Sequence, residues 1–178
     1  YTGIAYTLYL DMVVPLFVCL IYMRLDLRHT LLSSITSLLI VTFAIGDVAS
    51  AIWMSQGILM GLICGYFIRK KETIFDDLFY SAILGTFIMV LIDIYFSKLT
   101  GYSFMKEFDS YRDLFPLGSE YMAMAFNIFV AMMPMSTILI VYVGALLIGK
   151  KLMILNENCT EKYMIIKNFK RFGSYICC

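Results

Sequence analysis

The sequence predicts an all-α fold, a polytopic bundle of membrane-spanning helices, and three observations carry that expectation. Of 178 residues, 61% are hydrophobic and only 15% charged, with a mean hydropathy of +0.84; an ordinary soluble domain is roughly 45–50% apolar and about 25% charged. The charges gather between long apolar runs instead of alternating with them. Those runs also have the right length, because a helix rising about 1.5 Å per residue needs roughly 20 residues to cross hydrocarbon about 30 Å thick. Barrel strands would alternate apolar and polar side chains, whereas these runs are apolar all round.

Five spans follow in order. The first is Tyr1 to Met23, interrupted by Asp11 and closed by RLDLRH. Thr30 to Gly46 is the second, short at 17 residues but within range. Val48 to Ile68, 21 uncharged residues, ends at the cations Arg69, Lys70 and Lys71. Leu78 to Ser97 is interrupted by Asp93, and Tyr121 to Gly149 gives 29 uncharged residues, enough to cross with a tilt or with a kink near Pro134.

Threading these spans with alternating sides places 11 of the 14 Lys and Arg on one face. The other face receives the turn at Gly46-Asp47 and the loop Lys98 to Glu120, whose three cations meet four anions. The positive-inside rule makes the first face, with the C-terminus, cytoplasmic. Tyr1 then lies outside and is not a Met, so a sixth, upstream helix is expected in the intact protein. The chain divides into a transmembrane bundle, 1–151, and a cytoplasmic basic-aromatic tail, 152–178. In that tail Lys162, Lys167, Lys170 and Arg171 interleave with Tyr163, Ile165, Ile166, Phe169 and Phe172, as in a surface-lying amphipathic helix or a partly ordered segment with snorkelling lysines.

Several function classes are disfavoured. A net charge of +1 gives no basic footprint for nucleic acid. His29 is the single histidine, beside Arg28 at a helix end, and with no C-x-x-C motif it supports neither a metal site nor a nucleophile-histidine pair. No phosphate-cradling G-x-x-x-x-G-K-[ST] loop occurs. Asp11 and Asp93 are the carboxylates available for an intramembrane pair, and neither sits in a Gly-rich setting. No enzyme activity, cofactor or metal is therefore expected. Cys19 and Cys64 read as apolar fillers, and Cys159, Cys177 and Cys178 as tail thiols not expected to form disulfides, the last two being candidates for acylation.

What remains is a gathering of polar residues toward the outer side. A carboxylate within hydrocarbon costs at least about 2.5 kcal/mol, so Asp93 either faces a cavity or reaches up to the interface. Asn127 falls near the same depth and either lines that cavity or bonds another helix. Trp53 and Gln56 lie one and two turns into the third span, Trp53 alternatively belonging to an interfacial aromatic belt. The outer loop mixes Tyr102 and Tyr111 with charges, which suits either a lid or a segment lying on the surface. Trp53, Gln56, Asp93, Asn127, Tyr102 and Tyr111 are thus the candidate substrate-binding set for a small, partly polar solute. Gly57, Gly61 and Gly65 form a small-residue stripe for close helix packing.

The order PLFVCLIYMRLDLRHTLLSS, then QGILMGLICGYFIRKK, then a helix with a carboxylate near its outer end resembles the YybS-like family of uncharacterised bacterial membrane proteins. Their layout is similar to the S components of energy-coupling factor (ECF) transporters. The resemblance covers residues 10 to 150 and implies a six-helix protein of the bacterial plasma membrane. Such a protein binds a vitamin-like solute from outside and hands it to a separate coupling subunit and its ATPases. The first helix, which carries the docking surface in S components, is not in this sequence. A second hypothesis is a noncatalytic membrane scaffold acting through residues 152–178 on a protein partner or membrane lipid.

Overall fold

The computed structural model describes residues 2–46, 48–100 and 119–176, and these form six helices with no strand among them. They are α1 (Thr2–Arg24), α2 (Leu27–Ile45), α3 (Val48–Arg69), α4 (Ile74–Thr100), α5 (Ser119–Lys151) and α6 (Glu157–Ile176). Three carry an apolar stretch long enough to cross a membrane: Leu27–Ala44 in α2, Ile74–Ile92 in α4 and Pro134–Lys151 in α5. α1 contributes a shorter apolar stretch, Met12–Arg24. These are the stretches among the described residues.

The helices begin and end where their chemistry dictates. α2 stops at Gly46, whose φ of 70° lies in the left-handed region and whose N–H reaches Thr42 O at 2.9 Å; glycine takes that conformation without a Cβ penalty. Along α2, the Thr30, Thr36 and Thr42 hydroxyls donate to the carbonyls one turn back, which spares them an unpaired donor in an apolar setting. α4 starts at Ile74, four residues earlier than the apolar run predicts, because Thr73 caps it. The Thr73 hydroxyl accepts the Asp76 N–H at 3.3 Å and donates to Asp76 Oδ2 at 2.5 Å. α5 is a single helix running through Pro134.

α1 and α3 form the tightest pair, and the glycine stripe is the reason. A Cβ on Gly61 would lie on the backbone carbonyl of Pro15, and one on Gly65 would come within 2.8 Å of the Tyr22 ring. The absent side chains let the two backbones approach. α4 and α5 complete the core, where Cys19, Met60, Cys64, Ile138, Val141 and Leu146 are buried. α2 stands at the periphery with Leu32, Ile40 and Phe43 exposed.

α5 ends in a tight reversal. Ile154 N–H bonds Gly149 O at 3.0 Å and Met153 N–H bonds Lys150 O at 3.2 Å, with Met153 at φ 55°. This pairing is a Schellman motif, with methionine where glycine is usual. It turns the chain so that α6 runs back against α5 and α3.

Candidate functional site

The C-terminus of α3 leaves carbonyls that no later turn can satisfy. A lysine from α6 fills that role. Lys162 Nζ donates to Lys70 O at 2.7 Å, Phe67 O at 3.0 Å and Ile68 O at 3.2 Å, and it pairs with Asp77 Oδ2 at 2.5 Å. Four acceptors meet three N–H donors, so one donor is shared. The lysine side chain is 5% exposed and that of Asp77 is fully buried. The ammonium also complements the negative end of the α3 dipole.

Asp77 sits in the first turn of α4, where the Thr73 cap places it against α5 and α6. Its Oδ2 accepts a second bond from the Tyr142 hydroxyl of α5 at 2.6 Å. Oδ1 and the Ser81 hydroxyl, one turn further along α4, are buried without a hydrogen-bond partner among the described residues. Cys159, three residues before Lys162, is buried and directs its Sγ to Ile68 O at 3.6 Å. Burial pushes this thiol above its ordinary pKa, partly offset by the Asn156 backbone, Lys162 and Arg69. One polar knot therefore ties α3, α4, α5 and α6 together.

Arg69 extends the knot to α1. Its Nη1 donates to Tyr22 O and Leu25 O, both at 3.3 Å, and the guanidinium lies 5.5 Å from the Tyr22 ring centroid, within cation–π range. Two helix C-termini, those of α1 and α3, are thus each completed by a cation from another helix. Beside the knot, between α4, α5 and α6, lies a groove of about 800 Å³.

The sequence-predicted site residues fall elsewhere. Gln56 is half-buried on α3, beside Gly57. Trp53, Asp93 and Asn127 have described backbones on α3, α4 and α5, and their side chains lie outside the described residues, as do Tyr102 and Tyr111 altogether. The residues that the structure does bring together, Asp77, Tyr142 and Lys162, were not singled out by sequence reasoning. Asp76 and Asp77 fall just before the fourth apolar run, and Lys162 reads as one of the four tail cations. The available signal is the capping pattern Thr73-x-x-Asp76, which starts the helix before Asp77 and draws that carboxylate into the bundle.

Residues 5–113 match the model of a family described as "Predicted membrane protein (DUF2232)". The chain belongs to that family. No curated protein and no solved structure matches it. The DUF2232 match begins three residues into α1, takes in α2, α3 and all of α4, and ends before α5. Asp77 and the α3 carbonyls thus lie inside the family region, while Tyr142 and Lys162 lie beyond it. Among the described residues no group of three His, Cys, Asp or Glu is placed to hold a metal ion.

Proposed function

We propose that this membrane protein is a noncatalytic, solute-binding subunit resembling an ECF transporter S component, which takes up a small vitamin-like solute from outside for import by a separate coupling subunit and ATPases. In this reading five helices, α1 to α5, span the bacterial plasma membrane, a sixth precedes them, and the end bearing Arg24, Arg69–Lys71 and Lys150–Lys151 is cytoplasmic by the positive-inside rule.

The observation that carries the reading is the separation of the polar positions 56, 93 and 127 from the Lys162 knot. Among the residues whose side chains are described, the buried core and the knot gather where α3 ends and α4 begins. The polar positions 56, 93 and 127 lie toward the other ends of their helices. At about 1.5 Å per residue, Gln56 is about 20 Å along α3 from Arg69, Asp93 about 28 Å along α4 from Ile74, and Asn127 about 36 Å along α5 from Lys151. Polar in-span residues set apart from the Lys162 knot suit a solute entering from outside. The scaffold alternative relies on free tail cations, and Lys162 is committed within the bundle.

Native mass spectrometry of the detergent-purified protein, with identification of any co-purifying small molecule, tests this directly. The expected result is a bound solute that Asp93→Ala loses while the protein keeps its thermal transition. Retention of a protein partner through residues 152–178, with no small molecule in repeated preparations, overturns it in favour of the scaffold.

A further inference from the structure

The groove of about 800 Å³ beside the knot has an apolar wall and a polar rim. Its apolar wall is built by Phe75 and Leu78 of α4, Leu139 and Val143 of α5, and Ile165 and Ile166 of α6. The α4 and α5 members of that wall belong to stretches long and apolar enough to cross the membrane. Its polar rim, Lys71, Glu72, Thr73, Asp76, Asn158 and Glu161, stands where α4 and α6 begin. Leu139 and Val143 lie two to three turns inside α5 from Lys151, whereas the rim stands at the start of α4; with α4 and α5 across a membrane, the rim meets the interface and the wall reaches into hydrocarbon, as the polarity of a lipid does.

The rim's charges are specific. Lys162 and Asp77 neutralise each other inside, and Lys70 is paired with Glu72 at 2.5 Å. Lys71, Asp76 and Glu161 have no ion-pair partner among the described residues and are exposed. One cation without an ion-pair partner thus stands with two carboxylates without one, Asp76 keeping Oδ1 available while its Oδ2 accepts the Thr73 hydroxyl. An anionic headgroup would meet net negative charge, and a choline headgroup has no N–H to donate to a carboxylate. A headgroup with a phosphate and a primary ammonium satisfies both signs, phosphate to Lys71 and ammonium to Asp76 and Glu161.

From this charge arrangement and polarity we infer that the groove between α4, α5 and α6 is a binding site for a zwitterionic phospholipid with a primary-amine headgroup, its acyl chain lying along Leu139 and Ile165. The site is separate from any solute pocket and needs only that α4 and α5 span a membrane.

The test uses the whole protein, delipidated in detergent and incubated separately with dioleoyl phosphatidylethanolamine, phosphatidylcholine and phosphatidylglycerol, with retained lipid counted by native mass spectrometry. The ethanolamine lipid is expected at ten-fold or higher occupancy over the other two. Leu139→Trp and Ile165→Trp, both at half-exposed positions that tolerate bulk, are expected to abolish that adduct while keeping the wild-type thermal transition. The double variant Asp76→Asn, Glu161→Gln is expected to retain lipid and bind ethanolamine and choline lipids equally. Equal retention of all three lipids by the native protein, a preference for phosphatidylglycerol, or an ethanolamine adduct that survives both tryptophan substitutions overturns the inference.

Discussion

Lys162 and Asp77, 85 residues apart in the chain, meet at 2.5 Å with the lysine side chain 5% exposed and the aspartate wholly buried. Removing one partner strands the other. Asp77→Leu is expected to destabilise the fold by roughly 3–5 kcal/mol, because an ammonium is left facing carbonyls alone, whereas the double variant Asp77→Leu, Lys162→Leu loses less than either single change. Thermal unfolding of the four proteins in one detergent checks this; additive losses would show that the two groups are not coupled.

The α1–α3 seam makes a graded prediction. Gly61→Ala sets a methyl group on the Pro15 backbone, which has no rotamer with which to yield, and is expected to cost about 1–3 kcal/mol. Gly57→Ala meets the Pro15 ring at 3.3 Å and is expected to cost markedly less. Gly85→Ala meets the flexible Met60 side chain and should also be mild. Equal transition temperatures for the Gly61 and Gly57 variants would contradict the close approach.

At the reversal after α5, Met153 holds a left-handed conformation and is 94% exposed, so it contributes strain and little packing. Met153→Gly is expected to raise stability by about 1 kcal/mol. A lower transition temperature in that variant would mean the Schellman turn is not the local structure.

Thr73→Ala removes the cap of α4 and is expected to cost about 0.5–2 kcal/mol. Hydrogen exchange should localise the change to the amides from Phe75 to Asp77, since Asp76 N–H is the donor that loses its acceptor. Thr73→Ser should restore protection.

Cys159 supplies a pH dependence. Its folded pKa is raised by burial, so the thiol form is favoured in the fold. The resulting stability is complete below the unfolded value, about 8.5, and is lost as pH rises through the folded value. Unfolding measured from pH 7 to pH 10 should show a decline above about pH 8.5 that is shallower in Cys159→Ala. Maleimide labelling of Cys159 at neutral pH should be slow and should accelerate in Lys162→Ala.

Local features of the fold were legible because apolar run length decides where a helix crosses lipid. Val48 to Ile68 became α3 with its end moved by one residue, and Thr30 to Gly46 became α2 with Leu27, Arg28 and His29 added at its start. α4 starts four residues before the apolar run because Asp76 and Asp77 interrupt the hydropathy while Asp76 completes the Thr73 cap. The glycine stripe was legible as packing from its four-residue spacing, though its partner, Pro15 to Tyr22, was not. The knot was illegible for a different reason. A buried ion pair across 85 residues leaves no periodicity, and each member taken alone resembles an ordinary surface charge.

The position of Lys162 so late in the chain has a consequence for biogenesis. Residues leave the ribosome at about 5–20 per second, so Lys162 is made roughly 4–17 s after Asp77, 85 residues behind it. Until then the Asp77 carboxylate has no counterion and the last α3 carbonyls no donor from α6, so the contact that ties α3 to α4 through Lys162 can form only after most of the chain has been made.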